Sequence, residues 1–149
     1  MVMAVRTRAL VFLGLIAVAH PAAAQSIADT ASRWGLIGTW ALDCSQPASG
    51  SNGYLVYIAR GAKVSHERNF GDRRDVNDVR EAKAAADGGL ELVVHFPGLQ
   101  QTRRFILIKG PDGRIRATSN SKADGTEPTI LDGRFTANGN PTPWQVRCK

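Results

Sequence analysis

Leu90-Glu91-Leu92-Val93-Val94-His95-Phe96-Pro97-Gly98, followed closely by Thr102-Arg103-Arg104-Phe105-Ile106-Leu107-Ile108-Lys109-Gly110-Pro111-Asp112-Gly113, decides the fold class. Both runs are rich in aliphatic, β-branched and aromatic residues, and each stops at a Pro/Gly turn signal, the pattern of β-strands joined by tight turns. Working outward, Arg114 to Ser119 returns from the second turn, and Thr129 to Phe135 reads as a further strand with Gly133 inside it. Pro143 to Cys148 closes the chain.

Upstream, Asp87-Gly88-Gly89 separates Leu90–Phe96 from residues 77–86. Alanine and charge give that segment some helix propensity, but the turn signal beside a strand makes it one arm of a hairpin. Before it, Val64, His66, Arg68 and Phe70 alternate with Lys63, Ser65, Glu67 and Asn69, and Gly61 joins this strand to Tyr54–Arg60. Gly38 to Asp43 is the first strand, and Ser45 to Gly53 is a polar loop. Ser26 to Trp34 predicts a short helix, with Ser26 and Asp29 at capping-box spacing and Ile27, Ala31 and Trp34 on one face. Eight or nine short strands at turn-punctuated spacing predict an all-β fold. Connections too short for a crossover helix make it antiparallel and up-and-down, and a sandwich or barrel follows. Residues 25–149 form one domain.

At the N-terminus, Arg6 and Arg8 precede an unbroken apolar run from Ala9 to Ala19, then His20-Pro21 and Ala22-Ala23-Ala24. This is the pattern of a signal peptide, residues 1–24, cut between Ala24 and Gln25. The run is shorter than the roughly 20 residues a transmembrane helix needs, and the mature chain is expected to have no transmembrane segment. A periplasmic or secreted location follows. The full chain carries +6, of which the leader supplies Arg6 and Arg8 and no acid. The mild remaining excess is scattered, as in the doublets Arg73-Arg74 and Arg103-Arg104, and is no footprint of nucleic-acid binding. Cys44 and Cys148 are the two cysteines, and an oxidising compartment predicts a disulfide between them.

Candidate chemistry is sparse. His66 and His95 lack the partners that a metal or catalytic site requires, and each is expected to be a satisfied or exposed strand histidine. No serine sits in Gly-x-Ser-x-Gly. Asp72, Asp75, Asn77 and Asp78 lack the glycine and terminal glutamate of an EF-hand loop and read as a solvated turn. No metal site, no cofactor and no enzymatic activity are expected. Tyr54, Tyr57, Phe70, Phe96, Phe105, Phe135 and Trp144 either fill a core or line a pocket. A filled core is the plainer expectation for a small barrel.

Gly38-Thr39-Trp40 at the head of the first strand, after a short helix, resembles the opening of lipocalins and related calycin barrels. The tail Thr142-Pro143-Trp144-Gln145-Val146-Arg147-Cys148 is similar to that of small exported bacterial lipocalin-like proteins. The resemblance implies an eight- or nine-stranded antiparallel barrel with the first strand tied to the last segment. It also implies a basic residue packed over Trp40, Arg147 before Arg134. Trp40 would then sit at the closed end, with any ligand entering at the other. The implied function is binding of a small apolar or amphipathic ligand by a monomer. The alternative is a periplasmic interaction module, an inhibitor or envelope adaptor, with a packed barrel and an envelope protein as partner.

N-terminal sequencing of the exported protein is expected to begin at Gln25, or within a residue or two of it. A mature product that still begins at Met1 would refute the leader.

Overall fold

In the computed structural model of the chain, residues 24–148 are described. The expected leader, apart from Ala24, lies outside them. Helix α1 (Ile27–Trp34) starts where Ser26 closes a capping box. The Ser26 hydroxyl accepts from the Asp29 amide at 3.0 Å, and the Asp29 carboxylate accepts from the Ser26 amide at 3.3 Å. These bonds satisfy two otherwise orphaned donors. Gly35 ends the helix in the left-handed region at φ 85°. Among the described residues, no helix is long and apolar enough to cross a membrane.

The rest is antiparallel sheet: β1 (Gly38–Ala41), β2 (Tyr54–Arg60), β3 (Lys63–Asn69), β4 (Arg74–Ala84), β5 (Leu90–Phe96), β6 (Gln101–Lys109), β7 (Ile115–Lys122), β8 (Ile130–Leu131), β9 (Arg134–Phe135) and β10 (Val146–Cys148). From β1 to β9 each strand pairs with the next in the chain, and β10 returns to pair with β1, Trp40 opposite Arg147. The all-β, antiparallel, next-neighbour arrangement is the expected one. No ladder joins β9 to β10, but an isolated bridge pairs Ile115 at the start of β7 with Gln145, one residue ahead of β10. Its two amide bonds measure 3.0 and 2.8 Å.

One strand is reassigned. The expected strand Thr129–Phe135 is a tight hairpin, β8 and β9, because Asp132 and Gly133 both adopt positive φ, 47° and 71°. Two successive positive-φ residues form the turn that matches strand twist. Reading Gly133 as a strand residue missed this.

Period-two alternation sends one set of side chains inward from every long strand. Val64 on β3, Val79 on β4, Leu90, Leu92 and Val94 on β5 and Leu107 on β6 meet in one buried cluster with Ile115. Helix α1 packs against β2, β3 and β4 and inserts Ala28 and Ala31 into this cluster beside Leu36 and Trp40. Trp40 is 2% exposed, and its indole N–H donates to the Leu36 carbonyl at 2.8 Å. Arg147 lies with its guanidinium carbon 5.8 Å from the Trp40 ring centroid and donates to the Ile37 carbonyl. Gly38 is required beneath it. Its φ is 141°, and a Cβ there would sit 3.0 Å from Arg147 Nε. Arg134 instead donates to the Gly139 carbonyl at 3.0 Å. The Cys44–Cys148 disulfide ties the loop after β1 to the last strand across 104 positions, with Cα atoms 5.6 Å apart. On the chain-entropy model, closing so long a loop stabilises the fold by about 4–5 kcal/mol.

Trp40→Ala is expected to lower the unfolding free energy by roughly 3–5 kcal/mol, as for a buried aromatic. It should leave ligand affinity unchanged in whatever fraction remains folded. Near-native stability in a denaturant titration would show that Trp40 does not support the fold.

Candidate functional site

Inward side chains of β2, β3, β5, β6 and β7, several of them in the same buried cluster as Trp40, also border open space. They enclose a cavity of about 570 Å³ that opens to solvent, within the range of about 300–1,000 Å³ typical of small-molecule sites. Tyr57, Phe96, Phe105, Leu107, Ile115 and Ile130 form much of its wall. Leu42 and the 57%-exposed Leu99 belong to its lining, placing apolar surface where the cavity meets water. Of the aromatic residues expected in a core or a pocket, Tyr57 and Phe96 are buried in the core cluster and also border the cavity, Phe105 packs against that cluster, and Phe70 and Phe135 line the cavity. Tyr54 and Trp144 do not line it.

His66 is the wall residue furthest from its expected role. It is 4% exposed, and neither ring nitrogen has a hydrogen-bond partner. The sequence pattern predicts a satisfied or exposed histidine, and the structure shows neither. Tyr57 stacks on one face of the imidazole, with centroids 4.6 Å apart and planes 7° from parallel. Phe96 meets it edge-on at 6.1 Å, and Phe105 continues the row at 6.1 Å from Phe96. Burial among these rings, reinforced by the Arg68 cation, pushes the His66 pKa down to about 3, and Asp75 only partly opposes this. The ring is neutral at physiological pH, with one N–H and one lone pair unmet. Burial likewise pushes the Tyr57 phenol upward.

Two guanidinium groups face the cavity. Arg68, two residues beyond His66 on the inward face of β3, ion-pairs with Asp75 and lies 4.6 Å over the Phe96 ring. Asp75 also accepts from Asn77 Nδ2 at 2.6 Å. Its carboxyl is held below the ordinary carboxylate range, chiefly by the hydrogen bond from Arg68. The expected solvated turn at residues 72–78 is thus partly a wall network: Asp75 pairs inward while Asp72 stays out with Arg73. Arg103, on the inward face of β6, is 9% exposed and bonds only to neutral oxygens, among them Asn120 Oδ1 at 2.7 Å.

None of Gly38, Trp40, Cys44, Arg147 and Cys148 lines this cavity. Gly38 and Trp40 pair across β1 and β2 with the lining residues Tyr57 and Leu55, and Arg147 lies over Trp40. His95 faces away from the cavity and bonds to Thr102 Oγ1 at 3.0 Å. Among the described residues, no three His, Cys, Asp or Glu side chains form a group that could hold a metal ion. The cavity residues that sequence reasoning passed over are Arg103, Asn120 and Gln101. In the doublet Arg103-Arg104, strand alternation sends one arginine inward and the other out to Glu91, at 2.8 Å.

The unfolded chain protonates His66 near pH 6.5, whereas the folded imidazole stays neutral down to about 3. Across that window the unfolded state binds more protons, so stability is full above pH 6.5 and declines as the pH falls. One proton gives a slope of up to about 1.4 kcal/mol per pH unit. His66→Phe, which keeps the stacked ring, is expected to flatten the dependence of the urea midpoint between pH 6.5 and the carboxylate range. An unchanged slope would contradict the buried neutral imidazole.

Comparison with protein-family models, with curated proteins and with solved structures finds no match to this chain.

Proposed function

We propose that the protein is an exported, non-enzymatic carrier that holds one small apolar or amphipathic molecule inside a lipocalin-like barrel. The observation that carries this reading is the open cavity of about 570 Å³ walled by Tyr57, Phe96, Phe105, Leu107 and Ile130. Small apolar ligands bind where a concave, mainly apolar surface converges on a few polar groups. Here those groups are His66, Arg68, Arg103 and Asn120. Closure of the sheet into a barrel is supported by the Ile115–Gln145 bridge, which links β7 back to the segment feeding β10 and β1. Closure at one end is supported by α1, Leu36 and Trp40, which leave the other end as the entrance. The disulfide suits an oxidising compartment, as the leader does. The interaction-module reading calls for a packed interior, and the cavity favours the carrier.

N-phenyl-1-naphthylamine, a neutral fluorophore that brightens in apolar surroundings, is expected to bind saturably with one site per chain. Ala117→Trp, which places an indole in the cavity, is expected to abolish the signal while the circular dichroism spectrum stays native. Absence of saturable brightening with the wild-type protein would overturn the carrier reading.

A further inference from the structure

Arg103 places a charge in the cavity wall that no carboxylate answers. Nε donates to Asn120 Oδ1 at 2.7 Å, and Nη2 donates to the Glu127 carbonyl at 3.0 Å and to Thr129 Oγ1 at 3.3 Å. Nη1 has a single acceptor, Gln101 Oε1, at 3.5 Å, the limit of a hydrogen bond. All four acceptors are neutral. The Glu127 carboxylate turns away to Lys122, and the cavity's other guanidinium, Arg68, has Asp75. A buried charge without a counter-charge is costly, and side chains of this kind are usually paired. The cradle of Asn120, Glu127 and Thr129 therefore fixes the guanidinium plane and leaves two N–H groups of Nη1 with almost nothing to bond.

We propose that the occupant of the cavity is a single-chain amphiphile with a carboxylate head, and that Arg103 Nη1 receives that carboxylate. This rests on the carrier reading above. A carboxylate supplies one negative charge to the one guanidinium of the cavity lining that has no carboxylate partner among the described residues, in the planar geometry a guanidinium matches best. A dianionic phosphate head would leave one charge uncompensated in the same wall. The tail has a continuous path, because Phe105 and Leu107 follow Arg103 on the inward face of β6, with Ile115 and Ala117 beside them. Since the cradle orders the arginine before any ligand arrives, little rotamer freedom is lost on binding.

Displacement of N-phenyl-1-naphthylamine by dodecanoate, dodecan-1-ol and dodecyl phosphate tests the proposal on the oxidised protein. Dodecanoate is expected to bind the wild type about tenfold or more tightly than the alcohol, and more tightly than the phosphate. Arg103→Gln is expected to bring dodecanoate down to the affinity of the alcohol for the same variant. Equal affinity of acid and alcohol for the wild type overturns the proposal, and that comparison decides it even if Arg103→Gln does not fold. A preference that survives in Arg103→Gln also overturns it, as does a phosphate that binds more tightly than the carboxylate. In each of these outcomes the fluorophore still binds and the carrier reading stands. Failure of the fluorophore itself would remove both.

Discussion

The hydrogen bond from the Trp40 indole to the Leu36 carbonyl, 2.8 Å long, is the constraint on which the rest of the molecule depends. It satisfies the one polar atom of the largest fully buried side chain. In doing so it fixes the short linker between α1 and β1, so the helix lies across the sheet with Ala28 and Ala31 inside. Arg147 then crosses the outer side, over the ring and against Gly38, and its neighbour Cys148 ties the last strand to the loop after β1. The first and last strands and the helix are thus locked at one end by a single cluster. The Gly-x-Trp signature has a physical meaning here. The tryptophan is buried against Leu36, and the glycine leaves room for the arginine that lies over it.

Beside this cluster the interior is not completely filled. Around Trp40 the buried groups are almost wholly aliphatic or aromatic, and they meet across the interior. The cavity wall carries His66, Arg68 and Arg103, with Asn77 paired opposite His66 on β4. Each is a polar group that an optimally packed interior would replace. Two are answered within the protein, Arg68 by Asp75 and Asn77 by Asp75 and the His66 carbonyl. The two ring nitrogens of His66 and the Nη1 group of Arg103 are not answered or barely so. Unmet hydrogen-bonding capacity is destabilising in a folded chain. Among the described residues the same lack is seen at Arg116 Nε, which lies outside the cavity lining.

Much of the architecture was legible residue by residue. Pro97-Gly98 and Gly110-Pro111-Asp112-Gly113 delimit β6 because turn residues act locally. Ser26 and Asp29 start α1 where they stand, since a capping box involves only its own first turn. The hairpin at Asp132-Gly133 was missed because a glycine inside an apolar run is compatible with a strand, and only its positive φ separates the two. Arg103 was passed over for a different reason. As a member of a basic doublet it counts toward charge, and the alternation that turns it inward matters only once the concave side of the sheet is known. His66 shares a face with Val64, Arg68 and Phe70 in the sequence pattern, but no pattern tells whether that face meets a packed neighbour or an empty space.

The sequence by itself determined most of the strands and turns, the hairpin at Asp132-Gly133 excepted, the helix start and the disulfide pairing, because period-two alternation, turn chemistry and a count of two cysteines are short-range or combinatorial facts. Only the tertiary structure decided that a cavity lies beside the packed cluster. It also decided that His66 and Arg103 border the hollow, and that Arg103 meets acceptors 17 to 26 positions away on other segments while no carboxylate reaches it. The physical reason is that the volume enclosed by a sheet depends on how its distant strands tilt and pair around the axis. That is a property of the whole ladder, and no single stretch of the chain contains it.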